Sequence, residues 1–268
     1  MSEILAGIDH VIVGVRDLER ARMGWTRLGF TLSPRGRHLG QETANYCIMF
    51  PGDYIELLGP IGADARAEKL KAFLARREGL VGPAFAPAGT PEATREALAA
   101  RGLHPSEPRA LGRQLELPEG TVVPRFSLID LPAGETPALD CFICAHLTPG
   151  LMRRPEWLDH PNGAVGIGGV DLLAADIERL RPAYEQLFGA AQVETDGAVL
   201  IVRFGRHRIR FSPGVENAGT TLNLLTADRE RTADYLAQWQ IPFDETADGA
   251  IAVPPEEANG ARLVFAPA

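Results

Sequence analysis

Residues 8 to 15, Ile-Asp-His-Val-Ile-Val-Gly-Val, read as a β-strand. Val11, Val13 and Val15 share one face of a strand, and Ile8, His10 and Ile12 the other. The period then changes. Asp17, a good N-cap, precedes a helical spacing through Glu19, Arg22 and Leu28 that stops at Gly29. Three short strands follow over 30–33, 45–50 and 54–58, the last two joined by the turn Pro51-Gly52-Asp53. This is a β-α-β-β-β unit.

The order recurs. A strand over 80–86, a helix over 91–100 capped by Thr90 and ended by Gly102, and strands over 107–112, 122–129 and 141–147 form a second unit. A third takes a strand over 165–173, a helix over 176–187, and strands over 192–194, 198–204 and 208–211. A fourth takes a strand over 221–225, a helix over 229–239, and strands near Ile241, Ile251 and Leu263. The first and third units overlay: Ile8-Asp9-His10-Val11 on Ile167-Gly168-Gly169-Val170, and Asp17-Leu18-Glu19-Arg20 on Asp176-Ile177-Glu178-Arg179. The segment 148–163, spaced by Pro149, Pro155 and Pro161, reads as the connector between halves. The chain therefore divides into residues 1–150, a connector over 151–163, and residues 164–268.

Composition narrows the class. The chain has 268 residues, 45% hydrophobic and 23% charged, with a net charge of -8 and no basic stripe. That balance argues against nucleic acid or an anionic membrane as partner. The start lacks the pattern of a signal peptide, and no apolar run approaches a membrane span. Three cysteines, an odd count in a chain of this size, argue against a disulfide framework, and a reducing cytoplasm is the expected location.

The string Ile8-Asp9-His10-Val11-Ile12-Val13-Gly14-Val15, followed by Asp17-Leu18-Glu19 and Leu28-Gly29-Phe30, resembles the first βα unit of the vicinal-oxygen-chelate superfamily. Tyr54-Ile55-Glu56-Leu57-Leu58 resembles the glutamate-bearing last strand of that module. Arg37-His38, Thr43-Ala44-Asn45-Tyr46 and His160-Pro161-Asn162-Gly163-Ala164 resemble its glyoxalase-like branch. The resemblance implies an α+β fold in which four βαβββ modules form two paired, incompletely closed barrels. It also implies a divalent metal held in the cleft by residues on the first and last strands of a module.

Strand parity turns His10 away from the valine face, toward the concave side. A lone histidine there fits a hydrogen-bonded core role as well as a ligand's, and the resemblance favours the ligand. Glu56, flanked by Ile55, Leu57 and Leu58, is costly to bury unless charge-paired or metal-bound. Together they suit Fe, Mn, Co, Ni or Zn. By rough alignment with the family's partner module, His146 or Cys144 supplies a third donor. The expected metal set is thus His10, Glu56 and His146, with a plain strand-end histidine as the alternative. The Cys141-x-x-Cys144 pair points to opposite faces of a strand and reads as core.

His38, Thr43 and Asn45 lie beside the expected cleft. Glu56 and His38 are the expected acid–base groups, and Thr43, Asn45, Arg125, His160 and Asn162 the expected substrate contacts, with turn-forming or surface roles as the alternatives. Asp130 with Arg125 would orient an anionic substrate. His104 and His207 receive no role. Gly169 and Arg210 stand at the third unit's equivalents of His10 and Glu56, so the second pair offers no replacement site. The expectation is a metal-dependent isomerase or lyase acting on a small oxygenated metabolite. An extradiol-type ring-cleaving dioxygenase and a metal-free small-molecule-binding protein of the resistance type are the alternatives, and a homodimer is left open.

Overall fold

A computed structural model describes residues 3–268. The opening alternation folds as β1 (Leu5–Gly14), and Asp17 then accepts the N–H groups of Glu19 and Arg20, both at 3.0 Å, to start α1 (Leu18–Arg27). Gly29, at φ 87°, terminates that helix in the left-handed region open to glycine. β2 (Gly36–His38), β3 (Thr43–Met49) and β4 (Tyr54–Pro60) complete the first unit. After α2 (Ala65–Arg76), the second unit runs β5 (Gly79–Pro87), α3 (Pro91–Ala100), β6 (Arg109–Leu117), β7 (Gly120–Val122), β8 (Arg125–Asp130) and β9 (Phe142–His146). The third comprises β10 (Ala164–Ala174), α4 (Leu180–Phe188), β11 (Val193–Asp196), β12 (Val199–Phe204) and β13 (His207–Pro213). The fourth comprises β14 (Ala218–Thr226), α5 (Arg229–Gln238), β15 (Asp244–Glu245), β16 (Ile251–Val253) and β17 (Arg262–Pro267).

The expected α+β class and the four units form, with local differences that have physical causes. The strand expected over 30–33 is irregular, because its N–H groups go to different partners: Phe30 to the Trp25 carbonyl, Thr31 to His160 and Ser33 to the Cys47 carbonyl. The strand expected over 122–129 breaks at Pro124, which has no N–H to give a ladder. The helix expected from 176 starts only at Leu180, which leaves Pro182 in its first turn, where a missing N–H costs nothing. No strand forms at Ile241, whose N–H closes the end of α5 on the Leu236 carbonyl. Helix α2 was not anticipated, although Asp64 caps it at the Ala67 N–H (2.8 Å) and Ala67, Leu70 and Leu74 bury one face.

Among the described residues the strands form two sheets, ordered β2-β3-β4-β1-β5-β9-β8-β6-β7 and β11-β12-β13-β10-β14-β17-β16-β15. Three residue pairs between β2 and β6, ending with His38 opposite Arg113, join the two flanks of the first sheet. The second stays open. A continuous apolar cluster containing Val11, Trp25, Phe85, Phe211, Leu222 and Phe265 runs between the halves. Among the described residues no helix is long and apolar enough to cross a membrane.

The two sheets repeat one another down to their irregularities. β1 slips against β5 between Ile8 and His10, and β10 slips against β14 between Ile167 and Gly169. In the parallel pairings His10 lies opposite Tyr54 and Gly169 opposite Arg208, so Asp53 and His207 occupy equivalent positions. These two equivalents meet. Asp53 is fully buried, accepts the Ile167 N–H at 3.1 Å, and pairs with His207 Nε2 (3.1 Å) and with Arg206. His207 Nδ1 accepts the N–H of Ile8, the equivalent of Ile167, at 3.1 Å. His207, assigned no role from the sequence, is therefore a buried tie between the halves.

The connector is tied down by His160. Thr31 N–H donates to its Nδ1 (3.0 Å), which requires Nε2 to carry the proton given to the Met49 carbonyl (3.0 Å). Phe30 and Phe50 pack edge-on against the ring. Burial pushes the His160 pKa down from 6.5 to about 4, against the attraction of the Met49 carbonyl and Asp159. The unfolded chain thus takes up a proton near pH 6.5 that the folded ring refuses until about pH 4. The stability it confers is fully present above pH 6.5 and is lost as pH falls. Urea unfolding should show a loss of about 2 kcal/mol from this ring between pH 7 and pH 5, with a shallower slope for His160→Gln. Equal slopes for the two proteins would contradict the assignment.

Candidate metal centre

The interior of the first sheet encloses a cavity of about 50 Å³ lined by His10, His38, Asn45, Tyr54, Glu56, Arg113 and Cys144 among others. β1 and β4 run parallel and adjacent, which brings His10 and Glu56 to its floor. Both are buried, at 3% and 4% exposure. The parity that grouped Tyr54, Glu56 and Leu58 holds, since all three face the cavity. The grouping of Ile8 with His10 does not. The slip between them returns Ile8 to the cluster of Val11 and Val13 and leaves Asp9 buried at 3% exposure beside His10.

Asp9 organises the site. Its Oδ2 accepts from His10 Nδ1 at 2.7 Å, and its two oxygens lie 3.1 and 3.2 Å from His146 Nε2. Burial alone would push the Asp9 carboxyl up; His146 and His10 instead hold it below the usual carboxylate range. With Nδ1–H given to Asp9, His10 presents its Nε2 to Glu56, whose Oε2 is 3.6 Å away. The His10 ring stacks on Tyr54, centroids 4.5 Å apart. This is the arrangement of a metal-binding histidine: one nitrogen spent on a carboxylate, the other free for an ion.

A second chain of hydrogen bonds fixes Glu56 from the other side. Arg113 Nε can only donate, and it donates to Asn45 Oδ1 at 2.7 Å. Asn45 must then present its NH₂, which reaches Glu56 Oε1 at 2.5 Å and His38 Nε2 at 3.4 Å. His38 Nε2 is consequently an acceptor, and His38 gives its Nδ1–H to Thr43 Oγ1 at 2.8 Å. Burial would raise the Glu56 carboxyl, but His38, His10, Asn45 and Arg113 keep it below its ordinary value. Burial pushes His38 down to about 4 even with Glu56 facing it, so its ring is neutral at pH 7.

The other expected residues separate. Asn45 lines the cavity and Thr43 supports His38 from behind. Arg125 is exposed at the start of β8 and lies off the cavity, whereas Asp130 lines it, paired with Arg109 at 2.8 Å. His160 and Asn162 hold the connector; Asn162 donates to the Leu28 carbonyl and accepts the Ala164 N–H. His146 meets Asp9 rather than Glu56, and its buried Nδ1 has no partner among the described residues. Asp9, Cys144 and His146 form a second donor group within 4.8 Å, but burial pushes the Cys144 thiol well up. Cys141 lies in a different apolar cluster from Cys144, as opposite faces require.

Two functional side chains escaped the sequence reading. Asp9 was hidden by the slip in β1. Arg113, 1% exposed, continues the inward alternation Leu111-Arg113-Leu115-Leu117 of β6, a strand expected to end at Gly112. The arginine on that apolar row was the available signal.

A family model described as a glyoxalase-like domain matches residues 8–188. No curated protein matches the chain. Among solved structures, the chain is similar to a hypothetical protein from Staphylococcus aureus, with 14% identity, 97% of this chain and 99% of that one covered, and a TM-score of 0.71. It is similar to the Mn(II)-bound glyoxalase from Novosphingobium aromaticivorans, with 14% identity, coverage of 98% and 82%, and a TM-score of 0.59. A mutant of 4-hydroxymandelate synthase from Streptomyces coelicolor shares 12% identity, with coverage of 98% and 92% and a TM-score of 0.59.

Proposed function

This chain belongs to the glyoxalase-like domain family, and on that premise we propose that it is a divalent-metal-dependent enzyme of isomerase or lyase type. Its substrate would be a small oxygenated metabolite bound inside the first sheet. One observation carries the reading: Asp9 takes the Nδ1–H of His10, which leaves His10 Nε2 and the Glu56 carboxylate facing the same cavity. That nitrogen-and-oxygen donor set suits Fe, Mn, Co, Ni or Zn. The similarity to a Mn(II)-bound glyoxalase supports it at the level of the fold.

When bound, the ion supplies Lewis-acid stabilisation of negative charge developing on a chelated substrate oxygen. His10 and Glu56 would hold the ion, and Asp9 fixes the His10 ring through its Nδ1–H. Asn45 and Arg113 orient Glu56, whose carboxylate stays ionised and would take a proton from a substrate carbon in the cavity. Leu58, Leu111, Phe126 and Phe142 line the same space and give it apolar walls.

Elemental analysis of protein purified without chelator tests the reading. About one equivalent of a transition metal per chain is the expected result. It should be accompanied by metal-dependent exchange of the carbon-bound proton in 2-hydroxy ketones or 2-oxo acids in D₂O. Protein that binds such compounds with no metal and no exchange would instead be a sequestering protein, and the enzyme reading would be wrong.

A further inference from the structure

The cavity of the first sheet carries one guanidinium without a counter-charge. Its lining holds three arginines, Arg66, Arg109 and Arg113, against two carboxylates, Glu56 and Asp130. Arg109 is committed, since its Nε and Nη2 reach the two oxygens of Asp130 at 2.8 and 3.2 Å. Arg113 is committed as well: it is 1% exposed and shares its donors among Asn45, Ser33, the Met152 sulfur and the Pro34 carbonyl. Arg66 is half-buried and, among the described residues, has no hydrogen-bond acceptor and no carboxylate in ion-pair range. We propose that the site takes a small carboxylate substrate and that Arg66 receives the carboxylate at the cavity mouth. This deepens the proposed function, on which it rests, by naming the class of substrate.

Burial separates the two ends of the cavity. His10, Tyr54, Glu56 and Cys144 are buried at its floor, whereas Gln41 and Arg66 are half-buried and Arg109 and Asp130 exposed. Arg66 is held at that rim by the helix it belongs to. α2 begins at the Asp64 cap and buries Ala67, Leu70 and Leu74. Leu70 and Leu74 pack with Ile12 and Leu58, and Leu58 is itself part of the cavity wall. The helix thus abuts the wall with Arg66 in its first turn. The guanidinium charge reaches inward, where it opposes protonation of His38. Gln41 offers an amide N–H at the same rim.

A planar carboxylate matches one guanidinium through two parallel N–H donors. The charges of the lining select it over a phosphate. A single uncompensated cation balances a monoanion, whereas a phosphate dianion would meet Glu56 and Asp130 with one negative charge left over. Leu58, Leu111 and Phe142 give apolar surface for the carbon chain. Arg125, expected from the sequence to orient an anion, lies off this cavity.

Calorimetric titration of the purified protein compares 2-oxo acids, from pyruvate to 2-oxohexanoate, with 1-hydroxy-2-ketones of the same chain length. Wild type should bind at least one acid about 10-fold more tightly than its uncharged counterpart. Arg66→Gln should remove that preference and leave the ketone unchanged, and Arg66→Lys should restore part of it. Arg125→Gln, altered off the cavity, should bind as wild type does. The proposal is overturned by equal affinity for acid and ketone in wild type, by no binding of the acids, or by a preference that survives in Arg66→Gln. Tighter binding of inorganic phosphate than of any acid also overturns it. Binding and proton exchange fail separately. An Arg66-dependent preference without metal-dependent exchange refutes the enzyme reading alone; exchange with equal affinities refutes the carboxylate subsite alone.

Discussion

Glu56→Gln should lower divalent-metal affinity by about 100-fold or more and abolish metal-dependent proton exchange, with the fold retained. The substitution keeps the side chain's volume in a cavity of about 50 Å³, and the new amide oxygen can still accept from Asn45. What disappears is the negative charge near His10 and His38 and the group proposed to take the substrate proton. Because the surroundings hold the Glu56 carboxyl below its ordinary value, its ionised form stabilises the fold at neutral pH. The metal-free variant should therefore be modestly less stable than metal-free wild type, never more stable. Calorimetric metal titration and thermal unfolding of the stripped proteins measure both effects. Unchanged affinity would remove Glu56 from the coordination sphere.

Asp53→Ala should cost about 3–5 kcal/mol of stability. Asp53 is fully buried and serves three groups at once: the Ile167 N–H, His207 and Arg206. Removing it leaves the buried Ile167 N–H and the buried Nε2 of His207 without partners, each carrying its own desolvation penalty, while His207 Nδ1 keeps the Ile8 N–H. Arg206, whose side chain is 44% exposed, can recover its hydration and adds little. Asp53→Asn should cost less, since an amide oxygen can still accept from Ile167 while the charge is lost. Urea unfolding at pH 7 compares the two, and a loss below about 1 kcal/mol in Asp53→Ala would show that the halves hold together by apolar packing alone.

His10 and Glu56 were legible because strand parity and apolar flanks are local properties. So were α1, α3 and α5, whose caps Asp17, Thr90 and Asp228 lie beside the helices they start. The fourfold unit order was legible for the same reason. Asp9 was not, because a one-residue slip between strands depends on the partner strand and inverts the parity that follows from sequence alone. His38 was placed beside the cleft from the sequence, but its nearness to Glu56, 3.5 Å, was not legible. Only the pairing of β2 with β6 brings it over Glu56, and three residue pairs leave no periodic trace. His146 was attractive in sequence for a good reason, since it does join the cluster; it does so through Asp9. The tie between Asp53 and His207, separated by 154 positions, was equally out of reach.

That tie has one further consequence. Asp53 and His207 are equivalents that bond each other, and each also caps the N–H of the other half's equivalent isoleucine, Ile167 or Ile8. Such reciprocity, in which i meets j and j meets i, is the form of an isologous contact between identical subunits. The chain thus carries inside itself the interface of a twofold assembly, with the symmetry kept in the backbone hydrogen bonds and abandoned in the chemistry. An acid and a base now stand where a self-pairing contact would place two copies of one residue. The same divergence put His10 and Glu56 in one half and Gly169 and Arg210 in the other, so a doubled scaffold carries this histidine–glutamate pair once.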